Sequence, residues 1–232
     1  MKVCVIPARG GSKRIRKKNI KHFLGQPIIK YSIDKAVNSK IFDQIIVSTD
    51  DTEIAEIASR FGAKVPFLRP KEISDDYSGI PIVINHAISF IKENDSNPEY
   101  ICCLLPTAPF VTESDLINGF NLLKKVELDR FTFSATKYLF PVQRALRIEN
   151  SLCYPVSKTD IKKRSQDLDD RIHDAGQFYW GNQKAWSSKK NLFEGSKPIL
   201  LPSWRAQDLD TLDDWKRAEL MYKVNKKMDY HE

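Results

Sequence analysis

Acidic residues are missing from the start of this chain. The first is Asp34, and nine Lys or Arg precede it: Lys2, Arg9, Lys13, Arg14, Arg16, Lys17, Lys18, Lys21 and Lys30. A stretch this one-sided calls for an anionic partner: nucleic acid, a membrane surface or a small phosphate compound. Long hydrophobic runs are missing too. The longest, such as Ile101 to Leu105, have strand length, well short of the roughly 18–20 residues a membrane span needs. The N-terminal apolar run stops at Pro7, too short for a signal-peptide core, so a cytoplasmic protein is expected. The cysteines are few (Cys4, Cys102, Cys103 and Cys153) and no pair has zinc-site spacing; buried free thiols are expected. Nine Gly and twelve Pro exclude a collagen-like or low-complexity chain. Two common nucleotide motifs are also absent: neither Gly-x-x-x-x-Gly-Lys-Ser/Thr nor Gly-x-Gly-x-x-Gly occurs.

What remains is an ordinary globular composition. In 232 residues, 41% are hydrophobic and 29% charged, with a net charge of +7, which suits one large domain. Strand-like and helix-like stretches alternate. Strands are expected at 2–6, 43–48, 100–105 and 131–136, with a further extended stretch at 64–68. Helices are expected at 27–38, 51–61, 82–92 and from Thr112 to about Lys125. From about 137 to 175 the rhythm is lost. Strands return at 178–180 and 199–201, and Thr211 caps a last helix. Repeated strand–helix units predict a three-layer α/β/α sandwich with a mostly parallel sheet. It forms a single domain over 1–232, with 137–175 as an inserted arm that could serve a partner subunit. Ligands bind at the carboxyl ends of such strands, which directs attention to the loops after Ile6, Ser48 and Leu105 and to the region of Asp208.

The first of these loops reads Pro7-Ala8-Arg9-Gly10-Gly11-Ser12-Lys13-Arg14-Ile15-Arg16-Lys17-Lys18-Asn19. Its glycines allow close backbone approach and can aim amides at phosphate oxygens. Arg9, Lys13 and Lys18 can neutralise a polyphosphate, Arg9 bidentately. A rival reading makes residues 9–21 a nucleic-acid patch, but no reading motif accompanies the run and no aromatics interleave it.

Arg9-Gly10-Gly11-Ser12-Lys13 followed by Lys18-Asn19 resembles the signature loop of the acylneuraminate cytidylyltransferases, which join nine-carbon acidic sugars to CMP. Four more blocks resemble that family in the same order. They are Ile46-Val47-Ser48-Thr49-Asp50-Asp51, Phe67-Leu68-Arg69-Pro70 with Asp75, Asp76 and Ser78, Leu104-Leu105-Pro106-Thr107-Ala108-Pro109-Phe110, and Gln207-Asp208-Leu209-Asp210-Thr211. The resemblance spans about residues 1–222. Leu105 stands where the sialic acid branch has Gln, and Arg14 where it has Gly. Three segments, at 164–168, 173–181 and 213–219, point instead to a branch whose sugar carries a second acylamino group and a terminal methyl. CMP-sialate and CMP-legionaminate synthetases are the nearest alternatives.

The resemblance implies a Rossmann-like nucleotide-diphospho-sugar transferase fold, with CTP and a nine-carbon acidic sugar as substrates, no nucleic acid or membrane partner, and a homodimer built through the arm. It implies catalytic roles for Arg9, Lys13 and Lys18. Nucleotide contacts are implied at Ala8, Gly10, Gly11, Ser12, Asn19, Arg69, Ser78 and Thr107, and Mg²⁺ (or Mn²⁺) at Asp208 and Asp210. Hard cations favour such carboxylate oxygens. Sugar contacts are implied at Arg164 and Gln166 and, further, at Gln143, Gln177 and Tyr179. The less polar sugar end calls for an apolar wall, for which Phe140, Phe178 and Trp180 are near in sequence. In a strand, Phe178 and Trp180 share one face, so one face of that strand is expected to be core and the other to line the site.

Overall fold

The computed structural model describes residues 1–228 apart from 95, 128 and 189. In chain order the strands are β1 (Lys2–Pro7), β2 (His22–Phe23), β3 (Gln26–Pro27), β4 (Gln44–Ser48), β5 (Tyr100–Leu104), β6 (Thr132–Lys137), β7 (Leu146–Glu149), β8 (Leu152–Pro155), β9 (Ile172–Asn182) and β10 (Lys197–Leu200). The α-helices are α1 (Ile28–Ser39), α2 (Thr52–Arg60), α3 (Ile80–Glu93), α4 (Glu113–Leu123), α5 (Gln183–Ser187) and α6 (Leu212–Met228). Six strands form one sheet in the order β10-β6-β9-β5-β1-β4. β1 pairs in parallel with both β4 and β5, and β10 with β6, while β9 runs antiparallel between β5 and β6. The 64–68 stretch meets the edge of this sheet through single bridges, Ile46 with Lys64 and Thr49 with Leu68.

Helices cover both faces, so both side-chain sets of a central strand are apolar. On β1, Cys4 and Ile6 face α1, α2 and α4, while Val3 and Val5 face α3 and α5. β5 repeats the pattern, with Cys102 and Leu104 on one side and Ile101 and Cys103 on the other. On β9 this corrects the expectation of a site-lining face. Phe178 and Trp180 lie under α4 at 0% exposure, and Tyr179 is buried in the opposite layer. Neither Phe178 nor Trp180 is available to a ligand.

Local chemistry sets the helix starts. Asp51 caps α2 by accepting from Glu53 N and Ile54 N. Thr112 and Asp115 form a reciprocal capping box on α4, and Thr211 and Asp214 repeat it at α6. Between β6 and β9, residues 138–171 leave the sheet. They carry the β7–β8 hairpin and expose Leu139, Phe140, Leu146, Ile148, Leu152 and Val156.

A third apolar cluster matters most for position. Ile15, Phe23, Ile28, Phe110, Leu209, Trp215 and Ala218 are buried together. It joins the first loop, the start of α1, the segment after β5 and the entry to α6.

α4 sits very close to the sheet. A Cβ on Gly119 would lie 2.8 Å from Phe178 Cε2 and 2.9 Å from Trp180 Cδ1. Gly→Ala inside a helix ordinarily stabilises by up to about 1 kcal/mol. Overpacking here costs about 1–3 kcal/mol and outweighs it. Gly119→Ala is therefore expected to lower the unfolding midpoint, by roughly 2–4 °C for each net kcal/mol in a chain of this size. Thermal unfolding followed by circular dichroism checks the sign, and a raised midpoint would contradict the packing.

Candidate active site

The loop after β1 turns sharply, with Ser12 N donating to Gly10 O at 2.9 Å. Gly10 is required there: its N–H donates to Asp50 Oδ1 at 3.0 Å, and a Cβ would lie 2.6 Å from Asp51 Oδ2. Gly11 faces open space. Ala8 is buried, its N–H bonded to Ser48 O, and Asn19 Nδ2 reaches back to Arg9 O at 2.9 Å. Ile15 is buried between two exposed arginines, so the third apolar cluster grips the loop from beneath while its cations face outward.

Four of those cations meet two carboxylates far away in sequence. Arg9 Nη1 pairs with Asp76 Oδ1 at 2.6 Å, and Lys13 with Asp76 Oδ2. Lys18 Nζ donates to Asp210 Oδ1 at 3.2 Å and to Leu209 O at 2.8 Å, and Arg14 pairs with Asp210 Oδ2. Hydrogen bonds from Lys13 and then Arg9 hold the Asp76 carboxyl below its ordinary range.

Arg9, Ser12, Lys13, Lys18 and Asn19 line one cleft of about 300 Å³ together with Arg69, Ser78 and Thr107. Arg69 is buried, and its Nε donates to Ser74 Oγ at 3.1 Å with Asp50 3.8 Å from Nη2; burial pulls its pKa down. Ser78 N donates to Asp75 Oδ1 at 2.6 Å, closing the turn that carries Asp76.

Asp208 and Asp210 flank the buried Leu209, which belongs to the same apolar cluster as Ile15. Asp208 is exposed, and desolvation by its surroundings and then the neighbouring Asp210 charge raise its pKa. Two carboxylates that repel each other suit a divalent cation, which relieves that repulsion.

Five residues expected at the sugar do not line this cleft. Gln143, Arg164 and Gln166 belong to the 138–171 arm, where Gln143 Nε2 bonds Asp169 O at 2.8 Å and Arg164 pairs with Asp167 at 2.8 Å. Gln177 is buried, giving Nε2 to Arg205 O at 2.5 Å and leaving Oε1 without a hydrogen-bond partner among the described residues. The Tyr179 hydroxyl bonds Asp174, and burial pushes its pKa up. A second cleft, of about 460 Å³, opens at the base of the arm. Leu139 and Phe140 line it beside Lys137, His173, Arg217 and Gln207, the last adjoining Asp208.

Sequence reasoning assigned no role to Asp50, Asp76, Arg14 or Arg205. The acid-free N-terminus was the available signal for Asp76 and Arg14, because its cations need carboxylates from elsewhere. Nothing local marks Arg205.

Comparison with known proteins places the chain in a family. The cytidylyltransferase family model matches residues 3–171. The chain is 43% identical over 225 residues to the pseudaminic acid cytidylyltransferase of Campylobacter jejuni serotype O:2, covering 96% of this chain and 97% of that one. It is 29% identical over 234 residues to the CMP-N,N'-diacetyllegionaminic acid synthase of Legionella pneumophila, again over 96% and 97% of the two chains. Among solved structures, a CMP:2-keto-3-deoxy-manno-octonic acid synthetase complexed with CTP shares the fold at a TM-score of 0.69 and 14% identity, over 97% and 99% of the chains. The chain is a CTP-using nucleotidyltransferase and belongs to the cytidylyltransferase family.

Arg205 ties the segment leading to Asp208 onto α4, pairing with Asp115 and giving Nε and Nη2 to Phe110 O at 3.1 and 3.0 Å. Both partners are mostly buried, with side chains 13% and 10% exposed. Stranding one buried charge costs about 3–5 kcal/mol. Asp115→Ala, which also removes the α4 capping box, is expected to lose at least that much in a urea titration. A loss below about 1 kcal/mol would mean that this tether is not structural.

Proposed function

We propose that the enzyme transfers CMP from CTP to pseudaminic acid, giving CMP-pseudaminate and pyrophosphate for surface or flagellar glycan synthesis in the cytoplasm. One observation carries the choice of sugar: 43% identity along nearly the full length of a pseudaminic acid enzyme, against 29% to the legionaminic acid one. In this reading the sugar's anomeric hydroxyl attacks the α-phosphorus and gives its proton to solvent water. The bond to the bridging oxygen breaks, and pyrophosphate leaves with the electron pair. Arg9, Lys13 and Lys18 neutralise the triphosphate and the charge growing on the leaving group, work that is mostly positioning and electrostatics. Asn19, Arg69, Ser78 and Thr107 hold the nucleotide. Asp208 and Asp210 would hold Mg²⁺ or Mn²⁺, which supplies charge neutralisation at phosphate. The exposed Leu139 and Phe140 walls of the second cleft suit the terminal methyl, and Lys137 or Arg217 suits the sugar carboxylate.

The arm supports a homodimer. On the hairpin, Ile148 at 73% and Leu152 at 60% exposure are costly to leave in water, and a second copy of the chain would cover them. Light scattering at micromolar concentration is expected to give twice 26.7 kDa; a fully active monomer would remove the proposal.

Pyrophosphate release, measured against a panel of nine-carbon acids, tests the chemistry. Pseudaminic acid is expected to show a kcat/KM at least about 100-fold above N-acetylneuraminic acid, because a polyol tail against apolar walls loses water without gaining partners. Comparable efficiency would reject the sugar but keep the CMP transfer. In the same assay EDTA is expected to abolish release and Mg²⁺ to restore it, and Asp210→Asn to lose at least about 100-fold in rate. Full activity in chelator would reject the metal assignment.

A further inference from the structure

One carboxylate in the nucleotide cleft opposes the use proposed for its neighbours. Asp76 holds both Arg9 and Lys13, two of the three cations assigned to the triphosphate. Arg9 Nη1 is engaged twice, by Asp76 Oδ1 at 2.6 Å and by Asp75 O at 2.7 Å. A guanidinium Nη carries two hydrogens, so phosphate cannot take that nitrogen until the 74–78 turn withdraws. The Lys13 side chain is 81% exposed and free to swing between partners.

The turn does not need Arg9 or Lys13 to keep its shape. Asp75 Oδ1 accepts from Tyr77 N at 3.0 Å and Ser78 N at 2.6 Å, and Ser74 Oγ bonds Pro70 O at 2.8 Å. Arg69 fastens its stem through Ser74. Exposed ion pairs add little to stability, so those of Asp76 are cheap to exchange and the fold does not explain them. Asp210 differs: it sits on a backbone anchored by buried Leu209.

We propose that Asp76 is a positioning residue for product release, a carboxylate that competes with phosphate for Arg9 and Lys13 and displaces pyrophosphate by re-forming both ion pairs. This rests on the reading of the loop as the triphosphate site. Contacts that grip substrate and product alike do not speed the chemical step, and product release often limits turnover. A built-in competitor weakens that uniform grip without touching the reacting atoms.

Calorimetry with inorganic pyrophosphate and with CTP on the full chain, together with steady-state kinetics, tests the proposal. Asp76→Asn keeps the shape and removes the charge. It is expected to bind pyrophosphate at least about 10-fold more tightly, as befits the loss of competition for a charged hydrogen-bond partner. The KM for CTP and kcat should both fall. Asp76→Glu restores the charge and is expected to return affinity toward the wild-type value, which a purely steric role would not do. Unchanged or weaker pyrophosphate binding in Asp76→Asn overturns the proposal, and weaker binding would indicate that Asp76 assists the ligand. Arg9→Ala separates the two readings. If it loses no pyrophosphate affinity, the loop is not the phosphate site. If it loses affinity while Asp76→Asn gains none, only the role of Asp76 falls.

Discussion

The site depends on one constraint: Ile15 and Leu209 are buried in the same apolar cluster. Each is a single hydrophobic residue between charged neighbours, Arg14 and Arg16 on one side, Asp208 and Asp210 on the other. Burying the two together brings segments almost two hundred residues apart into register, so that Arg14 and Lys18 meet Asp210. Ion pairs between exposed groups could not do this alone, since each is worth at most about 1 kcal/mol. Removing two aliphatic side chains and Trp215 from water supplies several times that. The hydrophobic contact sets the position, and the charges become usable because of it.

The cleft keeps a net positive lining, with Arg9, Lys13, Arg14, Lys18 and Arg69 against Asp75 and Asp76. Loop cations face Asp76 on one side and Asp210 on the other, and neither carboxylate lies within the acid-free stretch. A loop with this much unpaired positive charge would repel itself and attract any polyanion. Exposed pairs of this kind add little to stability, so an arriving polyanion can exchange for the carboxylates.

Much of the fold was legible because helices cover both sheet faces, which leaves uninterrupted apolar strands such as Ile101 to Leu104 separated by capped helices. Thr112 and Thr211 announced their helices through the acid three residues later. The same two-sided burial misled the reading of β9. Alternation correctly divides Phe178 and Trp180 from Tyr179, but periodicity cannot say that a helix waits on each side. The cleft residues Arg9, Lys13, Lys18, Arg69, Ser78 and Thr107 were legible as ordered blocks. Asp76 and Asp50 stand in the same blocks, but their pairing with Arg9, Lys13 and the Gly10 N–H was not legible, because a block of sequence does not say which distant group a carboxylate meets. The arm stayed illegible because its hairpin buries little of its own surface, so its apolar residues follow no single-chain period.

The burial of the sheet centre also determines how the protein meets thiol chemistry. Cys4, Cys102 and Cys103 lie at 0% exposure, and burial pushes the Cys102 and Cys103 thiols well above their ordinary range. All three are shielded from modifying reagents, and Cys102 and Cys103 are held as poor nucleophiles. Cys153 is the opposite case, an exposed thiol on β8 of the hairpin. The native chain thus carries a single accessible attachment point, set in the hairpin that exposes Leu146, Ile148 and Leu152. A fluorophore placed there reports on whatever the hairpin touches, with no cysteine to be engineered in or out.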